Sequence, residues 1–138
     1  MLMSTDLSDK SCRIRPTAKP SVAVVGASTD PERFSYKAVQ GFVESGFEVY
    51  PVNPNATEVA GRKCYPSISD LPVGTLDRVV LYVPGIVGMK VLDELAQVAV
   101  GEIWASPGAD DPAVLAKARK MGMPIYQVCS LDLLGVER

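Results

Sequence analysis

The residues best suited to chemistry in this 138-residue chain lie in the stretch VAVVGASTDPERFSY (22–36), where an apolar run reaches one glycine, two hydroxyls and then an arginine. A glycine lets a ligand approach the backbone, and free N–H groups at a helix start attract an anion. Arginine can fork two hydrogen bonds onto a phosphate. Gly26, Ala27, Ser28, Thr29 and Arg33 are therefore expected to form a phosphate loop, with freed N–H groups beside the hydroxyls and Ser35 as the N-cap of the following helix. The stretch fits neither G-x-G-x-x-G nor G-x-x-x-x-G-K-[ST], the glycine patterns of dinucleotide enzymes and nucleotide hydrolases. The plainer alternative is a tight turn at Gly26, a simple cap at Ser35 and a solvated Arg33.

A second set of residues follows the apolar run EVYPVN (48–53). Dinucleotide enzymes that bind NAD place Asp or Glu at this point to accept the ribose hydroxyls. Here stand Asn53 and Pro54, and the next acid along the chain is Glu58, several residues farther on. Without a carboxylate the position disfavours NAD and tolerates a phosphate on the ribose, although Asn-Pro is also a common turn former. Val83-Pro84-Gly85 offers a bend with no polar side chain, suited to the flat face of an adenine. Ser106-Pro107-Gly108 ends a later run in the same way, and either bend could be a plain turn.

Other chemistries are excluded or weak. The chain contains no histidine, which removes imidazole acid/base catalysis and the Ser-His or Cys-His nucleophile pair. Cys12, Cys64 and Cys129 are isolated thiols without a C-x-x-C pair, so neither a disulfide framework nor a zinc site is indicated. Cys129 ends the last apolar run, where a reactive thiol could face a ligand, but a buried inert cysteine is the commoner outcome. Asp110 and Asp111 look like acids favoured by a helix N-terminus.

The elements that must position these residues follow from periodicity. Apolar β-branched runs at 22–26, 48–53, 78–83, 102–106 and 124–129, with a short run at 63–66, alternate with helical patterns at about 35–45, 86–98 and 111–121. Continuous apolar strands are covered on both faces, and strand–helix alternation implies parallel pairing through right-handed crossovers. The expected fold is α/β, a single doubly wound, mostly parallel sheet with helices on both faces. Ligands in such sheets bind beyond the carboxyl ends of the strands, where strand order reverses.

A hydrophobic content of 47% with 22% charged residues suits one compact core. The net charge of -2 argues against a nucleic-acid partner, which would demand many cations. No segment approaches the roughly 18 apolar residues of a membrane span, and the N-terminus lacks a signal-peptide core. A cytoplasmic protein is expected, with residues 1–19 as a flexible leader and 20–138 as the folded domain.

Taken in order, Gly26-Ala27-Ser28, Pro31, Arg33, Ser35-Tyr36, Pro51-Val52-Asn53-Pro54, Gly61-Arg62, Tyr65-Pro66-Ser67 and Leu71-Pro72 resemble the small stand-alone CoA-binding domain proteins. These are similar to the N-terminal domain of the succinyl-CoA synthetase alpha subunit and of nucleoside-diphosphate-forming acyl-CoA synthetases. The resemblance covers about residues 20 to 130. It implies a Rossmann-like fold that binds coenzyme A or an acyl-CoA. The Gly26 to Ser35 loop would contact the phosphates, Asn53-Pro54 would border the phosphorylated ribose, and Val83-Pro84 would lie against the adenine. Many relatives have a lysine soon after the Asn-Pro turn, where this chain has Asn55 and Ala56; Lys37 or Arg62 is then the cation available to compensate. The synthetases' catalytic histidine lies in another domain, so no ligase activity carries over. The expected function is non-catalytic CoA binding. The alternatives are an enzyme using Cys129 in acyl or disulfide exchange with bound CoA, and a NAD- or nucleotide-binding regulatory protein acting through a homodimer or another protein partner.

Overall fold

The computed structural model describes residues 19–135, so the expected leader, apart from Lys19, lies outside the described residues. Five parallel strands form one sheet in the order β2-β1-β5-β6-β7: β1 (Ser21–Val25), β2 (Glu48–Val52), β5 (Thr75–Leu81), β6 (Ala99–Ala105) and β7 (Ile125–Gln127). The chain moves outward from β1 to β2, then crosses back to β5 on the other side of β1. Strand order therefore reverses between β1 and β5, and their carboxyl ends frame the site.

Alternate residues of these strands feed two separate cores. Val22 and Val24 join Ala38, Val39 and Phe42 of α1 (Phe34–Glu44) and Leu131 of α4 (Ser130–Leu134). Ala23 and Val25 join Val91, Leu92 and Leu95 of α2 (Gly85–Leu95), with Val114, Leu115 and Ala118 of α3 (Pro112–Lys120). Helices thus cover both faces, and period-2 strands meet period-3.6 helices as the apolar pattern requires. Phe42, fully buried with its ring edge-on to Phe47 at 4.9 Å, would cost about 3 to 5 kcal/mol if truncated to alanine.

Local chemistry sets the ends of the helices. Asp111 caps α3 by accepting from the Ala113 amide at 2.8 Å, and Pro112 occupies the first helical position, where a missing N–H costs nothing. Lys117, Arg119 and Lys120 in the last turn face the negative end of the helix dipole. Gly135, at φ 71°, ends α4 in the left-handed conformation.

Three features differ from the sequence expectation. β5 and β6 begin at Thr75 and Ala99, each three residues early, because their first residues pair with each other. The run at 63–66 belongs to a small antiparallel hairpin, β3 (Glu58–Val59) with β4 (Arg62–Lys63), followed by a bridge from Tyr65 to Val52. The short helix α4 follows Cys129 where no element was expected.

Candidate functional site

Gly26 leaves β1 with φ +89°, and a Cβ there would lie 2.5 Å from the Tyr82 carbonyl oxygen and 2.8 Å from a Val83 methyl. The glycine is thus required by the close approach of β1 to the end of β5, apart from any ligand. Its N–H and that of Ala27 both donate to the Val52 carbonyl, at 2.9 and 3.2 Å. These two amides are consequently not free, which corrects the expected phosphate loop.

The rest of the loop is also tied to itself. Ser28 donates its N–H to Ser35 Oγ at 3.1 Å and accepts from the Asp30 amide through Oγ at 3.0 Å. Asp30 in turn accepts from the Glu32 amide at 2.9 Å. α1 begins at Phe34, with Arg33 in the capping position and no side-chain cap. Ser35 is therefore not the N-cap: it sits buried in the first turn, where its hydroxyl pins the loop back onto the helix. The donors left for an anion are the amide of Thr29 in the loop and those of Phe34, Ser35 and Tyr36, which precede the Lys37 N–H to Arg33 carbonyl bond at 3.2 Å.

Two cavities meet at Gly26. The first, about 430 Å³, is lined by Gly26, Ser28, Glu32, Arg33, Phe34, Ser35 and Tyr82. Arg33 projects into solvent with 73% of its side chain exposed, 3.9 Å from the Asp30 carboxylate. The second, about 380 Å³, has Val25, Val52, Pro54, Pro66, Ile68, Val83, Val87 and Val91 as apolar walls around Gly26, with Asn53, Ser67, Lys90 and Glu94 as its polar members. Of the expected site residues, Gly26, Ser28, Arg33 and Ser35 meet at the first cavity, and Gly26, Asn53, Pro54 and Val83 at the second. Ala27 is fully buried, and Ala27, Thr29, Lys37 and Pro84 line neither. Arg62, the other expected compensating cation, lies on β4, also away from both.

Asn53 acts as a staple between loops. Its Nδ2 donates to the Ala27 carbonyl at 2.7 Å, and its Oδ1 accepts from the Asn55 amide at 2.8 Å. The nearby Cys64 thiol is buried at 3.7 Å from the Asn53 carbonyl, and burial pushes its pKa up, which suits an inert thiol. The end of β2 carries Asn53 in place of an acid, but a carboxylate, Glu94, reaches the same cavity from α2. Glu94 Oε1 accepts from the Ile68 amide at 2.9 Å. The side chain of Lys90, one turn earlier on α2, has no hydrogen-bond or ion-pair partner among the described residues. Val87, Lys90, Val91 and Glu94 recur at helical spacing, so one stripe of α2 forms the wall. That stripe was visible in the sequence only as a helix period.

Tyr82 separates the first cavity from α4. Its hydroxyl meets Ser130 Oγ at 2.8 Å, and burial raises its pKa above the usual value, which keeps the hydroxyl protonated. Cys129, partly buried in the capping position of α4, lines neither cavity.

The sheet, its reversal point and this pair of cavities define a Rossmann-like α/β domain with its candidate site at the strand ends. Residues 20–134 match the family described as CoA binding domain, and the chain belongs to that family. It is 33% identical over 129 residues to the ADP-forming acetate–CoA ligase II of Archaeoglobus fulgidus, across 85% of this chain but 19% of the ligase. With the alpha subunit of the ADP-forming acetate–CoA ligase I of Pyrococcus furiosus it shares 33% identity over 121 residues, covering 76% of this chain and 26% of the subunit. The chain thus spans about a quarter or less of the length of these ligases. The structure of a hypothetical protein from Pyrococcus horikoshii OT3 superposes with a TM-score of 0.74 at 32% identity, covering 82% of each chain. Among the described residues no helix is long and apolar enough to cross a membrane.

Proposed function

We propose that this domain binds coenzyme A or an acyl-CoA and does so as a binding module without catalysing a reaction. The observation that carries the reading is the pair of unlike cavities joined at Gly26, in a chain of the CoA-binding family. The second cavity is walled by valines and prolines, the surroundings an adenine ring favours, with Asn53 and Pro54 at its ribose side. The first is lined by Phe34 and Ser35, whose amides are unbonded in the α1 first turn, where the dipole of an 11-residue helix favours a diphosphate. Arg33 adds its positive charge at the rim. Coenzyme A, with adenosine at one end of a diphosphate and a long arm at the other, fits such a divided site better than a compact nucleotide.

The side chains of Ser28, Asp30 and Ser35 are engaged in holding the loop together, and this supports binding over catalysis. Cys129 lines neither of these two cavities, which favours binding over an exchange reaction at that thiol. Titration calorimetry with CoA, dephospho-CoA, NAD and ATP tests the proposal. CoA is expected to bind most tightly, and tighter binding of NAD would overturn it.

A further inference from the structure

The apolar cavity contains one cation with nothing to pair with. Lys90 sits on the wall stripe of α2, lines the same cavity as Asn53 and Pro54, and its side chain has no ion-pair or hydrogen-bond partner among the described residues. Its one acidic neighbour on the stripe, Glu94, lies a turn farther on and directs Oε1 to the Ile68 amide. An exposed lysine on a solvated helix face needs no explanation, but this one borders a cavity whose other walls are largely valine, isoleucine and proline. In such surroundings an ammonium group interacts more strongly with an anion than it does in open water. A lysine stem can cover apolar surface of this kind while its charged end stays in water, and Lys90 is exposed.

We infer that Lys90 reads a phosphomonoester on the ribose of the bound adenosine, and so makes the site select 3′-phosphorylated CoA over its dephosphorylated form. The inference rests on the CoA-binding reading above. Lysine is suited to the role because it binds phosphate as a point charge and needs no fixed fork geometry. Asn53 and Pro54 present no opposing charge at that side of the cavity. Glu94 lines the same cavity with one oxygen already engaged, and a carboxylate accepts from a free diol but repels a phosphate, so the cation and the carboxylate favour different riboses.

The test compares CoA and dephospho-CoA by titration calorimetry on the wild-type chain, Lys90→Ala and Lys90→Arg, with thermal unfolding as a check of the fold. The wild type is expected to prefer CoA by about tenfold or more, the scale of one charge-assisted contact. In Lys90→Ala the preference should fall to about one, through weaker CoA binding and unchanged dephospho-CoA binding, while Lys90→Arg keeps most of it. Raising the salt concentration should narrow the wild-type gap, since the contact lies at an open mouth. A full preference retained in Lys90→Ala, or no preference in the wild type, would overturn the inference and leave CoA binding standing. Failure of the wild type to bind either ligand would instead overturn the CoA reading, and this inference with it.

Discussion

The β1–α1 loop and the α2 wall face the same site in opposite ways. The loop holds the residues most often associated with phosphate, yet Ser28, Asp30, Ser35 and the amides of Gly26 and Ala27 are bonded within the protein. The wall is a plain amphipathic helix, yet it brings an unpaired cation and a carboxylate to the ligand side. A loop shaped to leave three helix amides open must first satisfy its own polar groups, because a buried unpaired donor costs about 1 to 3 kcal/mol. A wall already held by Val91, Leu92 and Leu95 has no such demand, and its outer positions are free for recognition.

Changes in the loop should therefore act mainly on folding, and the largest effect is expected at its hinge. Gly26→Ala forces a Cβ into the Tyr82 carbonyl at a left-handed φ, and should destabilise the domain by about 3 kcal/mol or more in denaturant unfolding. An unshifted midpoint would mean that the close approach of β1 and β5 is not needed. Asn53→Asp replaces the donor to the Ala27 carbonyl with a second acceptor, for an expected loss of about 2 kcal/mol. Should Asn53→Asp retain full stability, the staple between the two loops would have no energetic role.

Smaller effects sharpen the contrast. Tyr82→Phe leaves the fully buried Ser130 hydroxyl without this partner, at a cost of about 1 to 2 kcal/mol. Because burial raises the Tyr82 pKa above 10.0 in the folded state, its stabilising contribution is complete below the unfolded value and is lost as pH rises through the folded one. The phenylalanine variant should lose that part of the alkaline decline, which unfolding curves taken from pH 8 upward would show. Arg33→Ala should leave stability unchanged and weaken CoA binding by about 1 kcal/mol, since an exposed guanidinium is screened by water. Unaltered calorimetric affinity would remove Arg33 from the site and leave the backbone amides as the only loop contact.

Much of the sheet was legible because its strands are apolar β-branched runs, whose pairing partners follow from the alternation with helices. The site was legible where it follows a strand: Gly26, Asn53, Pro54 and Val83 all border the cavities. Ser35 was misread because a hydroxyl near a helix start can bond forward to its own helix or back to the preceding loop, and only the three-dimensional path of the loop decides. Lys90 and Glu94 were missed for a different reason. They sit mid-helix, where spacing reports which face is buried and gives no sign that the neighbouring stripe forms a cavity wall. α4 was missed because five residues are too few to establish a helical period.

The hairpin next to β2 has a consequence for self-association. Tyr65 exchanges backbone bonds with Pro51 and Asn53, at 3.0 and 2.9 Å, and so occupies the outer hydrogen-bonding side of that strand near the site. An incoming extended chain finds this margin already taken where the ligand would bind. The opposite margin, β7, is only three residues long, too short a template for stable strand addition. Among the described residues, the site end of β2 and the short β7 thus offer little free edge for another copy to pair with.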